Sequence, residues 1–188
     1  MRGNTSAQNR EGKSFEANAM VLGASTYSIS QHGVNAAFFL ARNSQIILNY
    51  SWGESDPCVA DAFAVCKAKD SSYGVFYKQF FGNSFYLLAG VDHHNLQYSK
   101  KYDDLFEAYE VGFDATVTAA NILIGNQWSW NSFTMGVDWF GLALPLAYSI
   151  SNGYYSGTDG QVEYEDKVGQ YEGRGGGYAL RFYVGASF

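Results

Sequence analysis

The residues that could do chemistry in this 188-residue chain are few and dispersed. Asp92-His93-His94-Asn95 places two imidazoles beside a carboxylate. Side chains alternate along a strand, so His94 shares a face with Asp92, and His93 shares the other with Asn95. A metal site would need a third convergent ligand, so no metal and no cofactor is predicted, and structural or interfacial histidines are the plainer reading. Cys58 and Cys66 are the only cysteines and bracket "VADAFAV". An even pair at short separation in an oxidising setting reads as a disulfide, with two free thiols as the alternative.

The segment 145–177 mixes tyrosines and glycines with Asp159, Glu163, Glu165, Asp166 and Glu172. Tyrosine, glycine and serine make adaptable contact surfaces, so Tyr154, Tyr155, Asp159, Tyr164 and Tyr171 are candidate binding residues. A solvated hairpin extension is the bland alternative. The acids lack the spacing of a calcium loop, and "GRGGG" lacks the Gly-Lys-Ser/Thr ending of a phosphate loop. No catalytic residue is assigned.

Bulk properties narrow the classes. Net charge is −6 with no lysine or arginine cluster, which argues against nucleic acid as a partner. Mean hydropathy is −0.20, and runs such as "GLALPLAY" fall short of the roughly 18 apolar residues of a spanning helix. A membrane protein of this composition must carry its apolar residues in alternation. Residues 1–13 read as a flexible polar tail without the apolar core of a secretory signal, and residues 14–188 as one domain.

Period two dominates from Phe15 onward in eight segments: 15–26, 33–41, 45–53, 72–81, 84–98, 106–124, 130–143 and 177–188. Their connections alternate. Short turns are expected at 42–44, 82–83 and 125–129, and longer loops at 27–32, 54–71, 99–105 and 144–176. Both chain ends fall at the short-turn end.

The faces differ in chemistry. Tyr109, Val111, Phe113, Ala115, Val117 and Ala119 oppose Ala108, Glu110, Gly112, Asp114, Thr116 and Thr118. Phe133, Met135, Val137 and Trp139 oppose Thr134, Gly136, Asp138 and Phe140, and Ile46, Leu48, Tyr50 and Trp52 oppose Gln45, Ile47, Asn49 and Ser51. The apolar set is assigned to lipid in each case. Aromatics collect at both predicted borders: Phe15, Phe81, Phe85, Trp128, Trp130, Phe133 and Phe188 at the turn end, and Tyr27, Tyr50, Trp52, Tyr73, Tyr98, Tyr109 and Tyr178 toward the loops.

The chain ends "YALRFYVGASF", with Tyr178, Leu180, Phe182, Val184, Ala186 and Phe188 at alternate positions. This resembles the C-terminal signature of bacterial outer-membrane proteins, which the barrel-assembly machinery recognises in that family. With eight alternating segments, the chain resembles the small eight-stranded OmpA/OmpX-type barrels. The resemblance implies an all-β, eight-stranded antiparallel up-and-down transmembrane barrel in the outer membrane, with periplasmic ends and turns and extracellular loops. It also implies outer-membrane lipid, lipopolysaccharide and the assembly machinery as partners. Outer-membrane lipid A deacylases are similar in placing a lipid-facing histidine two residues before a serine. Here Asn95 follows His93 at that position, so no catalytic role carries over.

Eight strands leave an interior that side chains fill. Inward candidates are Glu16, Lys78, Asp92, His94, Glu110, Asp114, Asp138 and Arg181. At roughly 2.5 Å of height per tilted residue, Asp92, Asp138 and Arg181 fall in similar layers, and Asp138–Arg181 is the favoured pair. The expected protein is a non-enzymatic barrel with a filled lumen, acting in adhesion or surface interaction, or as a subunit beside another membrane protein. The alternatives are a lipid-modifying enzyme of the outer leaflet and a narrow channel.

Overall fold

The structure is a computed structural model that describes residues 5–25, 30–58, 64–103, 108–171 and 176–188. In chain order the elements are α1 (Ser6–Asn9), β1 (Phe15–Ser25), β2 (Gln31–Ala41), β3 (Ser44–Ser55), β4 (Ala64–Phe81), β5 (Phe85–Asp103), β6 (Ala108–Trp130), β7 (Phe133–Tyr155), α2 (Gly157–Tyr171) and β8 (Gly176–Ser187). Each strand pairs antiparallel with the next, and β8 returns to β1, so the sheet closes into an eight-stranded barrel. Closure satisfies the backbone donors and acceptors that open edges would leave exposed.

Tight turns join β2 to β3, β4 to β5 and β6 to β7. Gly82 (φ 70°) and Asn131 (φ 51°) adopt the left-handed conformation that two of these reversals require. The last turn lies beyond Trp130, not at the expected 125–129. Gly125 stays in the strand, at a point where a β-carbon would collide with the Tyr86 ring. It gives packing room rather than a bend.

Side-chain orientation follows the expected faces on β3 and β7, with Leu48, Tyr50, Trp52, Phe133, Met135 and Trp139 outside. Val137 keeps this outer parity, opposite Phe182, but is covered by its neighbours, whereas Phe140, expected inside, turns outward across a register shift with β6. On the upper part of β6 the assignment is reversed. Val111, Phe113, Ala115, Val117 and Ala119 are buried inside. Directly opposed residues share a face, and β6 pairs Val117 with His94, Ala115 with Leu96 and Phe113 with Tyr98. The interior itself turns apolar at this height, so composition alone pointed the wrong way.

Of the border aromatics, Tyr98 and Tyr178 are interior rather than exposed. Tyr178 leaves the alternation of β8 because Leu180 (φ 47°) forms an irregularity that turns Ala179 and Leu180 both outward. Tyr27 lies outside the described residues.

The exterior carries a belt of exposed large apolar side chains, including Val34, Phe38, Leu40, Leu48, Val75, Val91, Ile122, Leu142, Leu144 and Phe182. It encircles the wall as a lipid-facing band does on a membrane-spanning barrel. No helix among the described residues is long and apolar enough to cross a membrane.

The wall is uneven. β1 and β2 have 11 residues each, whereas β6 and β7 have 23, a difference of about 30 Å at ~2.5 Å per residue. The expected 144–176 loop is in fact the upper half of β7 followed by α2. Inside the raised wall Leu96, Tyr98, Val111, Phe113, Ala115 and Val117 form a second apolar cluster, which Tyr164 and Val168 of α2 pack against. Lys100 fastens the helix through Glu163 at 3.1 Å. Burial opposes its ammonium, but hydrogen bonds to Tyr109 and Glu163 outweigh that and raise its pKa.

Residues 5–13, expected as a flexible tail, fold under the turn end. Thr5 and Gln8 form a reciprocal capping box for α1. Arg10 is buried, lies 3.8 Å over the Phe80 ring and donates from Nη1 to the Asn83 carbonyl at 2.9 Å. Desolvation pulls its pKa down to about 10, with Glu16 acting in the opposite sense, so it keeps its charge at neutral pH.

Cys58 and Cys66 form a disulfide with Cα atoms 5.4 Å apart, tying the start of the β3–β4 connection to the start of β4. Closing so short a loop stabilises by ~2–3 kcal/mol on chain-entropy grounds. Replacing both cysteines with serine is therefore expected to lower unfolding free energy by about that amount in urea titrations of the detergent-folded protein. Thiol titration of the unreduced protein should find none, and two titrating thiols would contradict the assignment.

Candidate functional site in the barrel lumen

The lumen is filled by a column of buried polar groups. Near the turn end, Glu16 accepts from Asn18 Nδ2 (2.6 Å), Gln127 Nε2 (2.8 Å) and Gln45 Nε2 (3.3 Å). Lys78 Nζ donates to Gln127 Oε1 at 2.9 Å and to the Tyr183 hydroxyl at 3.3 Å, and lies 4.3 Å over the Tyr86 ring. Tyr183 donates to the Tyr86 hydroxyl at 3.0 Å, and Tyr86 donates to Asp138.

The middle layer is the arginine pair. Arg181 donates to Asp138 Oδ2 from Nε at 2.8 Å and from Nη2 at 2.6 Å. The guanidinium also lies 4.8 Å over the Tyr178 ring, which links this layer to the next. There Tyr178 donates to Asp92 Oδ2 at 2.5 Å and meets His94 Nε2 at 3.1 Å. His94 Nε2 is also 3.2 Å from Asp92, and its Nδ1 is 3.0 Å from Asp70. Both ring nitrogens thus face carboxylate oxygens, the pattern of an imidazolium that donates from each. Gln31 Nε2 closes the column by donating to Asp70 at 2.8 Å.

With His94 charged, the buried ionic residues balance. Glu16, Asp70, Asp92 and Asp138 oppose Arg10, Lys78, His94 and Arg181. A cavity of about 20 Å³ lies among Asn18, Asn49, Lys78, Asp138, Arg181 and Tyr183. It is the size of a single water.

Six of the eight inward candidates join this column: Glu16, Lys78, Asp92, His94, Asp138 and Arg181. Glu110 and Asp114 do not. Glu110 is exposed above the belt and pairs with Lys101 at 3.2 Å, and Asp114 accepts from Asn152 Nδ2 at 2.6 Å. Both lie on the outer face of β6, which the reversed orientation accounts for. Asp70 was missed because β4 begins at Ala64, eight residues before the predicted start at 72, although Asp70 keeps the parity of Ser72 and Lys78. Tyr178 was missed because it was placed at the border, Gln127 because it fell in an expected turn, and Tyr86 and Tyr183 because the inward candidates were chosen by charge.

Of the candidate binding residues, Tyr154 and Tyr155 are exposed at the top of β7, and Asp159 lies in the first turn of α2. Tyr164 instead packs inward, edge-on to Phe113 at 6.0 Å. The side chain of Tyr171 lies outside the described residues. On the outer wall His93 Nδ1 is 2.9 Å from Thr118 Oγ1, and its ring lies 5.3 Å from that of Tyr73.

No family model matches the chain, and no curated protein does. Solved structures do resemble it. Acinetobacter baumannii CarO aligns with TM-score 0.52 at 12% identity, over 92% of this chain and 97% of that one. Acinetobacter baumannii CarO2 gives 0.53 at 11% identity, over 94% and 98%. A major outer membrane protein from Thermus thermophilus gives 0.53 at 14% identity, over 95% and 100%. At these identities the likeness establishes the fold, an eight-stranded barrel of the outer-membrane type.

Removing one member of a buried ion pair strands the other, at a cost of about 3–5 kcal/mol. Arg181→Met should therefore destabilise the barrel by about that amount in urea titrations in lipid vesicles. Arg181→Met combined with Asp138→Leu should recover most of the loss. A double variant as unstable as the single one would show that the pair is not the source of the cost.

Proposed function

We propose that the chain is an integral protein of the bacterial outer membrane, with its tight turns and both ends in the periplasm. Its lumen is closed, and it acts non-enzymatically, in adhesion or as a partner subunit, through the surface raised at the loop end. The apolar belt, the barrel fold and the aromatic-ended terminal strand support the location. Tyr178, being interior, drops out of the assembly signal, which leaves Leu180, Phe182, Val184, Ala186 and Phe188 to be read by the assembly machinery.

The observation that carries the interaction reading is the raised wall of β4–β7 with its own apolar core under α2. A barrel that only spanned a bilayer would need none of it. Above that core Tyr154, Tyr155 and Val162 are exposed on a braced surface, the kind of apolar and aromatic patch that protein partners use. The filled lumen argues against the channel reading.

One observation favours a lipid-modifying enzyme as the second reading. Thr118 supplies on the neighbouring strand the hydroxyl that Asn95 cannot. Release of fatty acid from lipopolysaccharide by the native protein, lost in Thr118→Val, would replace the first reading with this one.

Under the first reading, a photo-crosslinking residue at position 155 or 162 should yield a discrete protein adduct in native membranes. One at Leu142, in the apolar belt, should not. The adduct should disappear when Tyr154 and Tyr155 are changed to serine, with the crosslinking residue at position 162. Planar bilayers containing the purified barrel should show no unit conductance, and steady current steps would overturn the closed lumen.

A further inference from the structure

The outer faces of β4 and β5 form a graded ladder of cross-strand pairs. From the belt upward the pairs are Val75–Val91, Tyr73–His93, Ser71–Asn95, Lys69–Gln97 and Lys67–Ser99. The chemistry changes in one direction, from aliphatic through aromatic and imidazole to amide and hydroxyl, and finally to ammonium. Neighbouring strands flank the ladder in the same order, with Leu48 and Trp52 on β3 and Thr118 on β6.

Two adjoining hollows follow this gradient. The lower one, about 400 Å³, is walled by Leu48, Val75, Val91, Tyr73, His93 and Thr118. The upper one, about 560 Å³, is lined by His32, Trp52, Lys69, Ser71, Asn95 and Gln97, with Glu54 at its side. Tyr73–His93 and Ser71–Asn95 are successive pairs of one face, so the two hollows meet end to end.

The two lysines are the telling part. Among the described residues neither Lys67 nor Lys69 has a carboxylate within 4.0 Å, whereas Lys100 and Lys101 are paired with Glu163 and Glu110. Glu54 and Asp114 are the acids that flank the ladder, opposite Lys69 and Gln97 in register. The ammonium groups of Lys69 and Lys67 stand two and three pairs above Tyr73–His93, on the polar side of the groove. A soluble anion would need only the upper half, and a neutral lipid only the lower.

We propose that this ladder is the seat of one phosphorylated, acylated glycolipid of the surface-side leaflet. An acyl chain lies in the lower hollow against Val75, Val91 and Leu48. Tyr73, with the hydrogen-bonded His93–Thr118 pair, meets the interfacial carbonyls and hydroxyls. Lys67 and Lys69 hold a phosphate. The proposal rests on the reading of the wall as membrane-spanning and is independent of any protein partner at the top of β7.

The test is lipid retention by the purified barrel after exchange into mild detergent, counted by native mass spectrometry with added bis-phosphorylated lipid A. One lipid A should be retained per barrel, with affinity at least tenfold above that for its dephosphorylated form. Lys67→Glu combined with Lys69→Glu should erase that preference, and so should high salt, since exposed charge pairs are screened. Lys101→Glu should leave it unchanged. Tyr73→Ala with His93→Ala should weaken retention of both forms, and millimolar inorganic phosphate should not displace the lipid. Equal retention of the two forms, or full displacement by phosphate, would overturn the seat. A barrel that inserts into vesicles but retains no lipid A overturns the seat alone, and failure to insert overturns the membrane reading with it.

Discussion

The constraint on which the rest depends is that ionic groups in a lumen filled by side chains must be neutralised by one another. Taking a charge out of water costs several kcal/mol even after relaxation, and only a close, hydrogen-bonded counter-charge offsets this. Eight strands fix the bore, and the bore admits side chains but not a hydration shell. The meeting of two Arg181 nitrogens with one oxygen of Asp138 is the central case. On one side Tyr178 hydrogen-bonds Asp92 of the next layer, and on the other Tyr86 joins Asp138 to Tyr183, which meets Lys78, so no layer is isolated. The small residues follow from the same demand. A β-carbon at Gly136 would meet the Tyr183 ring, and one at Gly125 the Tyr86 ring. The rings need that space to reach their partners.

A second consequence concerns the wall rather than its contents. Low on β6 the inside is polar, with Asn121, Gln127 and Ser129, and the outside apolar, with Ile122 and Ile124. Higher up the order reverses, with Val117, Phe113 and Val111 inside and Thr118, Thr116 and Asp114 outside. The strand is continuous, and only the surroundings change. Where lipid wets the exterior, the interior must hold the polar groups. Where water wets the exterior, the interior becomes an ordinary apolar core, and α2 is needed to close it.

This inversion separates what the sequence disclosed from what it hid. The barrel was legible because alternation survives the inversion unchanged: inside and outside swap chemistry, but period two persists. Strand number, the closing terminal strand and six of the lumen charges all follow from parity alone. The orientation of upper β6 was not legible, because an apolar face reads as lipid-facing until pairing with β5 fixes it. Tyr178 was hidden by a single irregular residue, Leu180, whose backbone conformation leaves no mark in composition. α2 was hidden because its segment is rich in glycine and tyrosine, and packing of Tyr164 and Val168 on the β6 core, rather than intrinsic propensity, holds it helical. Arg10 was hidden for a similar reason, since nothing local to a polar tail announces a partner ring on a distant strand.

The same inversion explains the Asp92-His93-His94-Asn95 run. On β5 the interior passes from Asp92 and His94 to Leu96 and Tyr98, while the exterior passes from Val91 to Asn95 and Gln97. The four residues therefore sit where both faces change solvent. His94 looks inward and is the topmost cation of the lumen column, held between Asp70 and Asp92. His93 looks outward at the same height and bonds Thr118, the first polar residue of β6 above the belt. An imidazole suits both posts because it is apolar enough to border hydrocarbon and polar enough to donate a hydrogen bond. Two adjacent histidines need not be a catalytic pair or half of a metal site. On a strand that crosses from lipid to water they mark the crossing once on each face.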